Sequence, residues 1–456
     1  MKDETKIPIV LLKCLLIIIN IALLFSLSGC GRDMPEINVA EKTYSLNQLQ
    51  EDFSQLRKEV ETKHPNLYLS DNDLNLIFDK QYSHLKDGMT ELEFYRIVSP
   101  AISALGCGHT NIYISKDFEK YLKDYGKYLP LSVKLVDDRL FVYENLSSAD
   151  IPAGSEILSI NGKVISDITG MLLDNLTADG YNQTKKYYIL NHWFNAVYYY
   201  FVENPDEFAI EYSKPDQDIA FKVVVPAIKD SKMFMTTMSI YFAPTEGDVY
   251  YGEVHEDYAR LVIKSFQSSK VKMSDYKKYL KSFFAELKEK DIPNLIVDLR
   301  GNWGGTPNPA AHLFSYLISE PAPYFEKAMF VYFNLKKPVK PAENNFTGSI
   351  YILIDGASFS TTGHLSSLLK YHSLGTFIGE ESGGGAVVTD GGKNITLKNT
   401  KLRIYCARTV FKAAVSGLPE GHGVIPDYEI RFSLQDYLKG NDPQLQKAIE
   451  LINKGI

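Results

Sequence analysis

Residues 294–305 read NLIVDLRGNWGG, a short apolar run that leads into a glycine-rich turn. The continuously apolar residues 295–297 are typical of a strand that is buried on both faces of a parallel sheet. A predicted helix over about 274–290 precedes this strand, and another begins after Pro307. A buried strand flanked by helices indicates an α/β fold.

The same pattern occurs a second time further along the chain. In order, it comprises a strand over Ile350–Ile354, a turn at Asp355-Gly356, a helix through Leu369 and a strand over Thr376–Gly379. Ligands of open parallel sheets bind at the carboxyl ends of the strands. Both turns belong to that edge, so we expect a functional site there.

A helical region is predicted upstream of this core. Apolar residues spaced by three and four follow Ser45, which forms a capping box with Gln48, and this pattern predicts an amphipathic helix. Two more helices are expected, over about 73–85 and from 90 to 106. We assign residues 45–116 to a small N-terminal helical domain.

Short strands are predicted next, at 131–135, 140–143, 156–160, 208–212 and 221–225. Residues 151–162 read IPAGSEILSING, in which Asn161-Gly162 is a tight-turn signal. This stretch resembles part of a PDZ domain. We therefore assign residues 117–228 to a PDZ-like β domain and residues 229–456 to the core.

The composition is that of a folded globular protein. Of the 456 residues, 45% are apolar and 23% are charged, which excludes a disordered chain and a multi-span membrane protein. The net charge of −7 argues against nucleic-acid binding, because that function needs a basic face. Outside the first thirty residues only Cys107 and Cys406 remain, too few for a disulfide framework.

The first thirty residues differ from the rest. Three lysines precede an apolar stretch at 14–27, which is shorter than the ~20 residues of a spanning helix but typical of a secretory signal. The following LSGC at 27–30 resembles the bacterial lipobox, in which the cysteine is lipidated. We expect a signal peptide at 1–29, lipidation of Cys30 and a polar tether at 30–44. A plain N-terminal anchor helix is the alternative, and both place the rest of the protein outside the cytoplasm.

Three segments carry side chains or backbone groups suited to catalysis. Residues 355–364, DGASFSTTGH, place two serines where a strand meets a helix, and N–H groups at a helix N-terminus suit an oxyanion. Helix capping is the alternative role for these serines. The glycines at 304–305 offer further N–H groups or permit close packing. His109, in LGCGHT at 105–110, is either a base or a structural residue.

In this order, the segments resemble peptidase family S41, which includes C-terminal processing proteases and the tricorn core. The counterparts of the six family segments are GCGHT at 106–110, the strands around 128–226, VDLRGNWGG at 297–305, SFSTTG at 358–363, GEESGGG at 379–385 and GVIPD at 423–427. The likeness spans most of the chain after the signal. It implies an α/β core of the ClpP/crotonase type with the helical and PDZ-like domains attached.

The resemblance also implies a role for each of three side chains. Ser360 matches the nucleophile, and His109 matches the base of the tricorn-like branch. Glu420 resembles the acid that supports this base, and its alternative role is that of a solvated loop residue. His364 lies four residues after Ser360, but the family pattern gives that position no role.

The oxyanion hole implied by the resemblance consists of the N–H of Thr361 and that of Gly304 or Gly305. The chain departs from the family branch that uses a serine–lysine dyad, because Gly384 and Gly385 stand where that branch has its lysine. A glycine has no side chain to accept a proton, so the base must come from elsewhere.

The PDZ-like region departs from its family as well. The loop that would bind a peptide's terminal carboxylate contains Pro130, which lacks an N–H to donate. This argues against recognition of free C-termini and leaves a lid, a spacer or a strand-docking edge as the role of the region.

The sequence therefore predicts an exported, lipid-anchored serine endopeptidase that acts on polypeptides. We expect no cofactor or metal, since there is no His-Glu-x-x-His motif and no Cys/His cluster at zinc-ligand spacing. We expect the lipid to contact the membrane, and no nucleic-acid partner. The alternatives are a non-catalytic ligand- or peptide-binding protein on the same scaffold and a small-substrate esterase or amidase.

Overall fold

The computed structural model describes residues 38–217, 219–229 and 247–455. The predicted signal peptide, Cys30 and the first part of the predicted tether lie outside the described residues. Strand β1 (Thr43–Tyr44) pairs with β2 (Met89–Thr90), and the Tyr44 ring is buried. Within the tether predicted over 30–44, residues 43–44 thus form a short strand.

Helices dominate the first part of the described chain. They are α1 (Leu46–Lys63), α2 (Asp71–Tyr82) and α3 (Glu91–Ser103), followed by β3 (Asn111–Tyr113) and α4 (Lys116–Tyr125). Reciprocal capping boxes start two of them, formed by Ser45 with Gln48 and by Thr90 with Glu93. The three predicted helices are confirmed.

An antiparallel sheet follows in the next part of the chain. Its strands are β4 (Leu131–Val136), β5 (Arg139–Asn145), β6 (Glu156–Ile160), β7 (Lys163–Val164), β8 (Glu207–Ser213) and β9 (Ala220–Pro226). The neighbours run in the order β4-β5-β6-β8-β9, and β7 pairs with β6. The five strands predicted here are confirmed.

Two helices interrupt this sheet, and the expectation of short strands alone is wrong there. Helix α5 (Ile165–Asn175) buries Ile165, Ile168 and Leu172, and α6 (Thr184–Phe201) is kinked at Trp193. Aromatic residues, which favour strands, fill α6, and neither helix begins with a side-chain cap. Burial of these helices in the folded chain outweighs these local preferences.

The remaining described elements form the core. The strands are β10 (Tyr250–Val254), β11 (Ala259–Ile263), β12 (Asn294–Asp298), β13 (Ala322–Pro323), β14 (Phe325–Lys327), β15 (Pro338–Val339), β16 (Ser349–Ile354), β17 (Thr376–Gly379), β18 (Val387–Asp390), β19 (Lys393–Thr396), β20 (Arg403–Cys406), β21 (Thr409–Ala413) and β22 (Tyr428–Glu429). The helices are α7 (Met273–Glu289), α8 (Pro307–Leu317), α9 (Thr361–Tyr371), α10 (Leu434–Lys439) and α11 (Pro443–Lys454), with a 3₁₀ segment at Phe330–Lys336.

A mixed sheet with the order β10-β11-β12-β16-β17-β22 organises this core. All neighbours pair in parallel except β10, which is antiparallel to β11. Leu295 and Val297 pack in one apolar cluster with residues of α7, α8 and α9, whereas Ile296 packs in another with Ala448 and Leu451 of α11. The predicted parallel sheet with two buried faces is confirmed.

The two predicted turns follow β12 and β16 at the carboxyl edge of this sheet. A smaller sheet, in the order β19-β20-β3, attaches β3 to the core by antiparallel pairing of Ile112 with Ile404. Because His109 lies just before β3, this pairing connects its loop to the core.

From Thr43 onward the described residues form one compact unit, so the boundaries placed at 116/117 and 228/229 and the PDZ-like assignment stay predictions. Cys107 and Cys406 are buried free thiols. No helix within 38–217, 219–229 or 247–455 is both long enough and apolar enough to cross a membrane.

Candidate active site

Ser360 ends the turn that links β16 to α9. Its backbone has a φ of 56° and a ψ of −122°, a conformation that non-glycine residues rarely adopt. Although it is the N-cap residue of α9, its side chain makes no capping hydrogen bond. Helix capping is therefore not the role of this hydroxyl, which instead lines a cleft.

The rest of the turn is fixed by hydrogen bonds. The Ser358 hydroxyl donates to the Leu299 carbonyl at 2.9 Å and accepts from the Asp355 N–H at 3.1 Å. The Asp355 carboxylate accepts from the Gly301 N–H at 3.0 Å and from the Ala357 N–H at 2.9 Å. Burial raises the pKa of Asp355 to about 6, against the lowering effect of these N–H groups. Asp355 therefore holds together the two turns that the sequence predicts.

His109 contacts Ser360 from a loop 251 positions earlier in the chain. Its Nε2 lies 3.0 Å from the Ser360 Oγ. The imidazole packs on the Phe359 ring, with centroids 4.6 Å apart, and the Asn111 side-chain amide donates to the His109 carbonyl at 3.1 Å. A base within hydrogen-bonding reach of a hydroxyl is the arrangement that activates a serine nucleophile.

The glycine turn packs against the Ser360 backbone, where a Cβ atom at Gly304 would lie 2.9 Å from the Ser360 Cβ and from the Thr361 nitrogen. The Gly304 N–H donates to the Asn302 side-chain oxygen at 2.9 Å, whereas the N–H groups of Gly305 and Thr361 donate to no other residue that the structure describes. The Thr361 hydroxyl donates to the Gly305 carbonyl at 2.6 Å and thereby ties the two segments together. Of the two glycines considered, Gly305 has the available donor.

The missing dyad lysine has a steric explanation. A Cβ atom at Gly384 would lie 2.7 Å from the Ser360 backbone nitrogen, and one at Gly385 would lie 2.1 Å from the His422 carbonyl oxygen. Real Cβ atoms do not approach backbone so closely. Neither position accepts a side chain unless the Ser360 turn or its neighbour moves.

Glu420, the predicted supporting acid, makes no contact with His109 in the structure. It is exposed and lines a second pocket, of about 570 Å³, with the rings of Tyr68 and Tyr181. Within the described part of the chain, no hydrogen bond or ion pair joins it to His109 or Ser360. The structure thus brings together the predicted nucleophile, base and oxyanion donors but not the predicted acid.

Two carboxylates that the sequence did not single out lie near His109. Asp390 Oδ2 is 3.8 Å from His109 Nε2, and its Oδ1 accepts from the Tyr405 hydroxyl at 2.6 Å. Asp179 is buried beneath the loop, where its Oδ1 accepts from the Gly108 N–H at 2.7 Å. Glycines follow both residues and mark turns, Gly391-Gly392 after Asp390 and Gly180 after Asp179, but nothing in these turn signals indicates proximity to His109.

His364 is a structural residue. Its ring is buried edge-on against Phe325, with centroids 5.1 Å apart, and neither ring nitrogen hydrogen-bonds to a described residue. Burial lowers its pKa to about 3, so the ring stays neutral. This environment agrees with the absence of a role for this position in the family pattern.

A cavity of about 630 Å³ opens over Ser360 and His109. Aromatic rings of Trp303, Tyr332 and Phe359 line it together with polar groups. Among the residues that the structure describes, no three His, Cys, Asp or Glu side chains are grouped to hold a metal ion. The cavity places the Ser360 hydroxyl beside an apolar surface.

The family model described as "Peptidase family S41" matches residues 257–430. This part of the chain is similar to the peptidase domain of family S41. Tricorn protease of Thermoplasma acidophilum is 31% identical over 172 residues, which are 36% of this chain and 15% of tricorn protease. This chain therefore spans only 15% of the length of that relative. The resemblance to family S41 is confirmed.

Two solved structures share the fold. Mature CPAF complexed with lactacystin has a TM-score of 0.65 and 13% identity, with 90% of this chain and 99% of that chain covered. Mature CPAF has a TM-score of 0.65 and 14% identity, with 90% and 98% covered. The predicted fold class, an α/β peptidase core accompanied by helical and β regions, is confirmed.

Proposed function

We propose that this protein is a serine peptidase in which Ser360 is the nucleophile and His109 the general base. The observation that carries the proposal is the 3.0 Å contact between His109 Nε2 and Ser360 Oγ. The similarity to family S41 supports it, and so does the backbone of Ser360, because strained conformations cluster at reactive residues.

The reaction follows from this geometry. His109 Nε2 takes the hydroxyl proton as Ser360 Oγ bonds to the peptide carbonyl carbon, and the resulting oxyanion accepts from the N–H groups of Gly305 and Thr361. When the intermediate collapses, the C–N bond breaks and His109 gives its proton to the leaving amine. Water, deprotonated by His109, then attacks the acyl-enzyme, which releases the acid and restores Ser360.

We infer that the substrates are polypeptides cut at internal bonds outside the cytoplasm. The apolar lining from Trp303, Tyr332 and Phe359 suits burial of a substrate side chain beside the scissile bond. The lipobox-like sequence supports membrane attachment through a lipid on Cys30. Incorporation of radiolabelled palmitate that disappears in Cys30→Ser tests this attachment.

A fluorophosphonate probe tests the catalytic proposal. We expect the protein to be labelled, Ser360→Ala to lose the label, and His109→Ala to lower peptide turnover by about 10³-fold or more. Ser367→Ala is the matched control, because Ser367 is a buried serine of the same helix α9 and makes no hydrogen bond to a described residue. It should keep both labelling and turnover.

Other outcomes separate the alternatives. Folded protein that is not labelled would favour a non-catalytic binding protein on this scaffold. Labelled protein that hydrolyses p-nitrophenyl esters but cuts no polypeptide would favour an esterase or amidase. Near-normal turnover of His109→Ala would show that His109 is not the base.

A further inference from the structure

The backbone of Gly108, the residue before His109, is held by two buried, charged side chains. The Gly108 N–H donates to Asp179 Oδ1 at 2.7 Å, and the Gly108 carbonyl accepts from Lys185 Nζ at 3.3 Å. Lys185 also donates to the Thr177 carbonyl at 2.7 Å. The exposed fraction is 6% for Asp179 and 0% for Lys185. Charged residues are rarely buried to this extent, and their burial calls for a specific role.

Two buried atoms at this place have no hydrogen-bond partner among the described residues. One is His109 Nδ1 and the other is Asp179 Oδ2. When Nε2 accepts the Ser360 proton, Nδ1 carries the other ring hydrogen and is a donor. Asp179 is held at Gly108, the residue before His109, so a buried donor and a buried carboxylate oxygen belong to adjoining groups, and each needs what the other offers.

We propose that Asp179 is the positioning carboxylate of the site, which orients His109 through Nδ1 and stabilises its protonated form. This inference rests on the proposed function and replaces Glu420 as the acid. Catalytic hydrogen bonds are often long in an unliganded enzyme and tighten in the complex with substrate. Asp390 does not compete for the role, because its carboxylate lies 3.8 Å from Nε2, the nitrogen that faces Ser360.

The charges around His109 fit this role. Burial raises the pKa of Asp179, while His109, the Gly108 N–H and Lys185 lower it. The other titratable groups that face His109 are Asp390 at the end of β18 and the neutral His364 of α9. Asp179 is thus a buried carboxylate that interacts electrostatically with His109, and Lys185 supplies an opposite charge that makes its ionised form tolerable.

Asp179→Asn separates the electrostatic role from a structural one. The side-chain oxygen of asparagine still accepts from the Gly108 N–H, but the charge is gone. We expect kcat to fall by about 10²-fold or more, KM to change less than about threefold, and the acidic limb of the pH profile to move to lower pH. The melting temperature at neutral pH should stay equal or rise, because a buried carboxyl whose pKa is raised costs stability when it ionises.

A titration of His109 tests the same inference without any turnover. In ¹³Cε1-histidine-labelled protein, the His109 signal is identified by its loss in His109→Ala. We expect Asp179→Asn to lower the His109 pKa by about one unit or more, since a negative charge that favours the imidazolium is removed. The matched control is Asp427→Asn, because Asp427 also accepts from a backbone N–H, that of Phe377, and pairs with a lysine, Lys370, elsewhere. It should leave the His109 signal unchanged.

The outcomes distinguish this inference from the proposed function. If Asp179→Asn keeps both kcat and the His109 pKa while Glu420→Gln lowers them, Glu420 is the supporting acid and the inference is wrong. If Asp179→Asn and Glu420→Gln both leave kcat and the His109 pKa unchanged, neither Asp179 nor Glu420 supports His109, and the inference is again wrong. If the protein neither labels nor cuts, the proposed function fails, yet the His109 titration still decides whether Asp179 acts on His109.

Discussion

Gly384 shows at the scale of one residue why no lysine stands at this position. Its N–H donates to the Ser358 carbonyl at 3.1 Å, and a Cβ there would lie 2.7 Å from the Ser360 nitrogen. We expect Gly384→Ala to push the Ser360 turn away from His109 and to lower labelling and turnover by about 10²-fold, since displacements of about 1 Å have effects of this size. Probe labelling and peptide turnover measure the effect.

Gly170→Ala is the control for Gly384→Ala. Gly170 is an exposed glycine of helix α5, and nothing lies within 4 Å of the position of its Cβ. Alanine there should leave activity unchanged and stabilise the protein by up to about 1 kcal/mol, because glycine is the poorer helix former. If Gly384→Ala were as active as Gly170→Ala, close packing against Ser360 would not explain the missing lysine.

The residues of the site were predictable to different extents. Ser360 and His109 lie in short motifs, and their roles require only that the two motifs meet. Glu420 also lies beside a motif, but in the folded chain its loop lines a second pocket and not the cavity over Ser360. Asp179 belongs to no motif, and its contact with Gly108, 71 positions away, depends on two helices that the pattern did not predict.

At the scale of elements, the parallel strands β16 and β17 end side by side and place acids at one edge. Asp355 follows β16 and Glu380 follows β17, and the Glu380 N–H donates to the Ile354 carbonyl at 3.1 Å. Burial, and then the charge of Asp355, raises the pKa of Glu380 to about 7. In the unfolded chain a glutamate titrates near pH 4.3. Between about pH 4.3 and about pH 7 the folded state binds more protons at Glu380 than the unfolded chain does. The stability of the folded state therefore falls as the pH rises through this range.

Glu380→Gln should remove this loss of stability. We expect the variant to be more stable than the parent at pH 8, by up to about 3 kcal/mol, and the difference to shrink toward pH 5. Urea unfolding at both pH values measures it. Glu289→Gln, at the exposed end of α7, is the control and should show no such pH-dependent difference. A variant less stable than the parent at pH 8 would contradict the argument.

Elements with a regular apolar pattern were the predictable ones. The core strand at 295–297 and helix α1 bury the residues that their spacing indicates. Helix α6 was missed because its aromatic residues are buried on several sides, which hides the periodicity that marks an amphipathic helix. Tertiary contacts, rather than local sequence preference, stabilise this helix.

At the scale of the whole molecule, the segment between α5 and α6 joins three distant loops. The Gly180 N–H donates to the Gly106 carbonyl and the Tyr181 N–H to the Gly421 carbonyl, both at 2.8 Å. The Asn182 side-chain amide donates to the Ser382 carbonyl at 3.0 Å. This segment therefore fixes the loop of His109 relative to the loop behind Ser360. The order of motifs along the sequence could not predict such a junction.

Asn182→Ala tests whether this junction sets the catalytic geometry. Asn182 is buried, and its side-chain oxygen also accepts from the Lys185 N–H at 3.0 Å. We expect the free energy of unfolding to fall by about 1–3 kcal/mol, because buried partners lose their hydrogen bonds. Turnover should fall by about tenfold or more, because the loop at 382–384 packs against the Ser360 turn.

Asn195→Ala is the matched control for Asn182→Ala. The Asn195 side-chain amide also donates to two carbonyls, that of Leu129 at 2.9 Å and that of Leu131, the first residue of β4, at 3.0 Å, but neither residue lines the cavity over Ser360. Asn195→Ala should lose stability to a similar degree and keep its turnover when assayed well below its melting temperature. Equal losses of turnover in the two variants would mean that the activity follows global stability, and that the segment between α5 and α6 does not align His109 with Ser360.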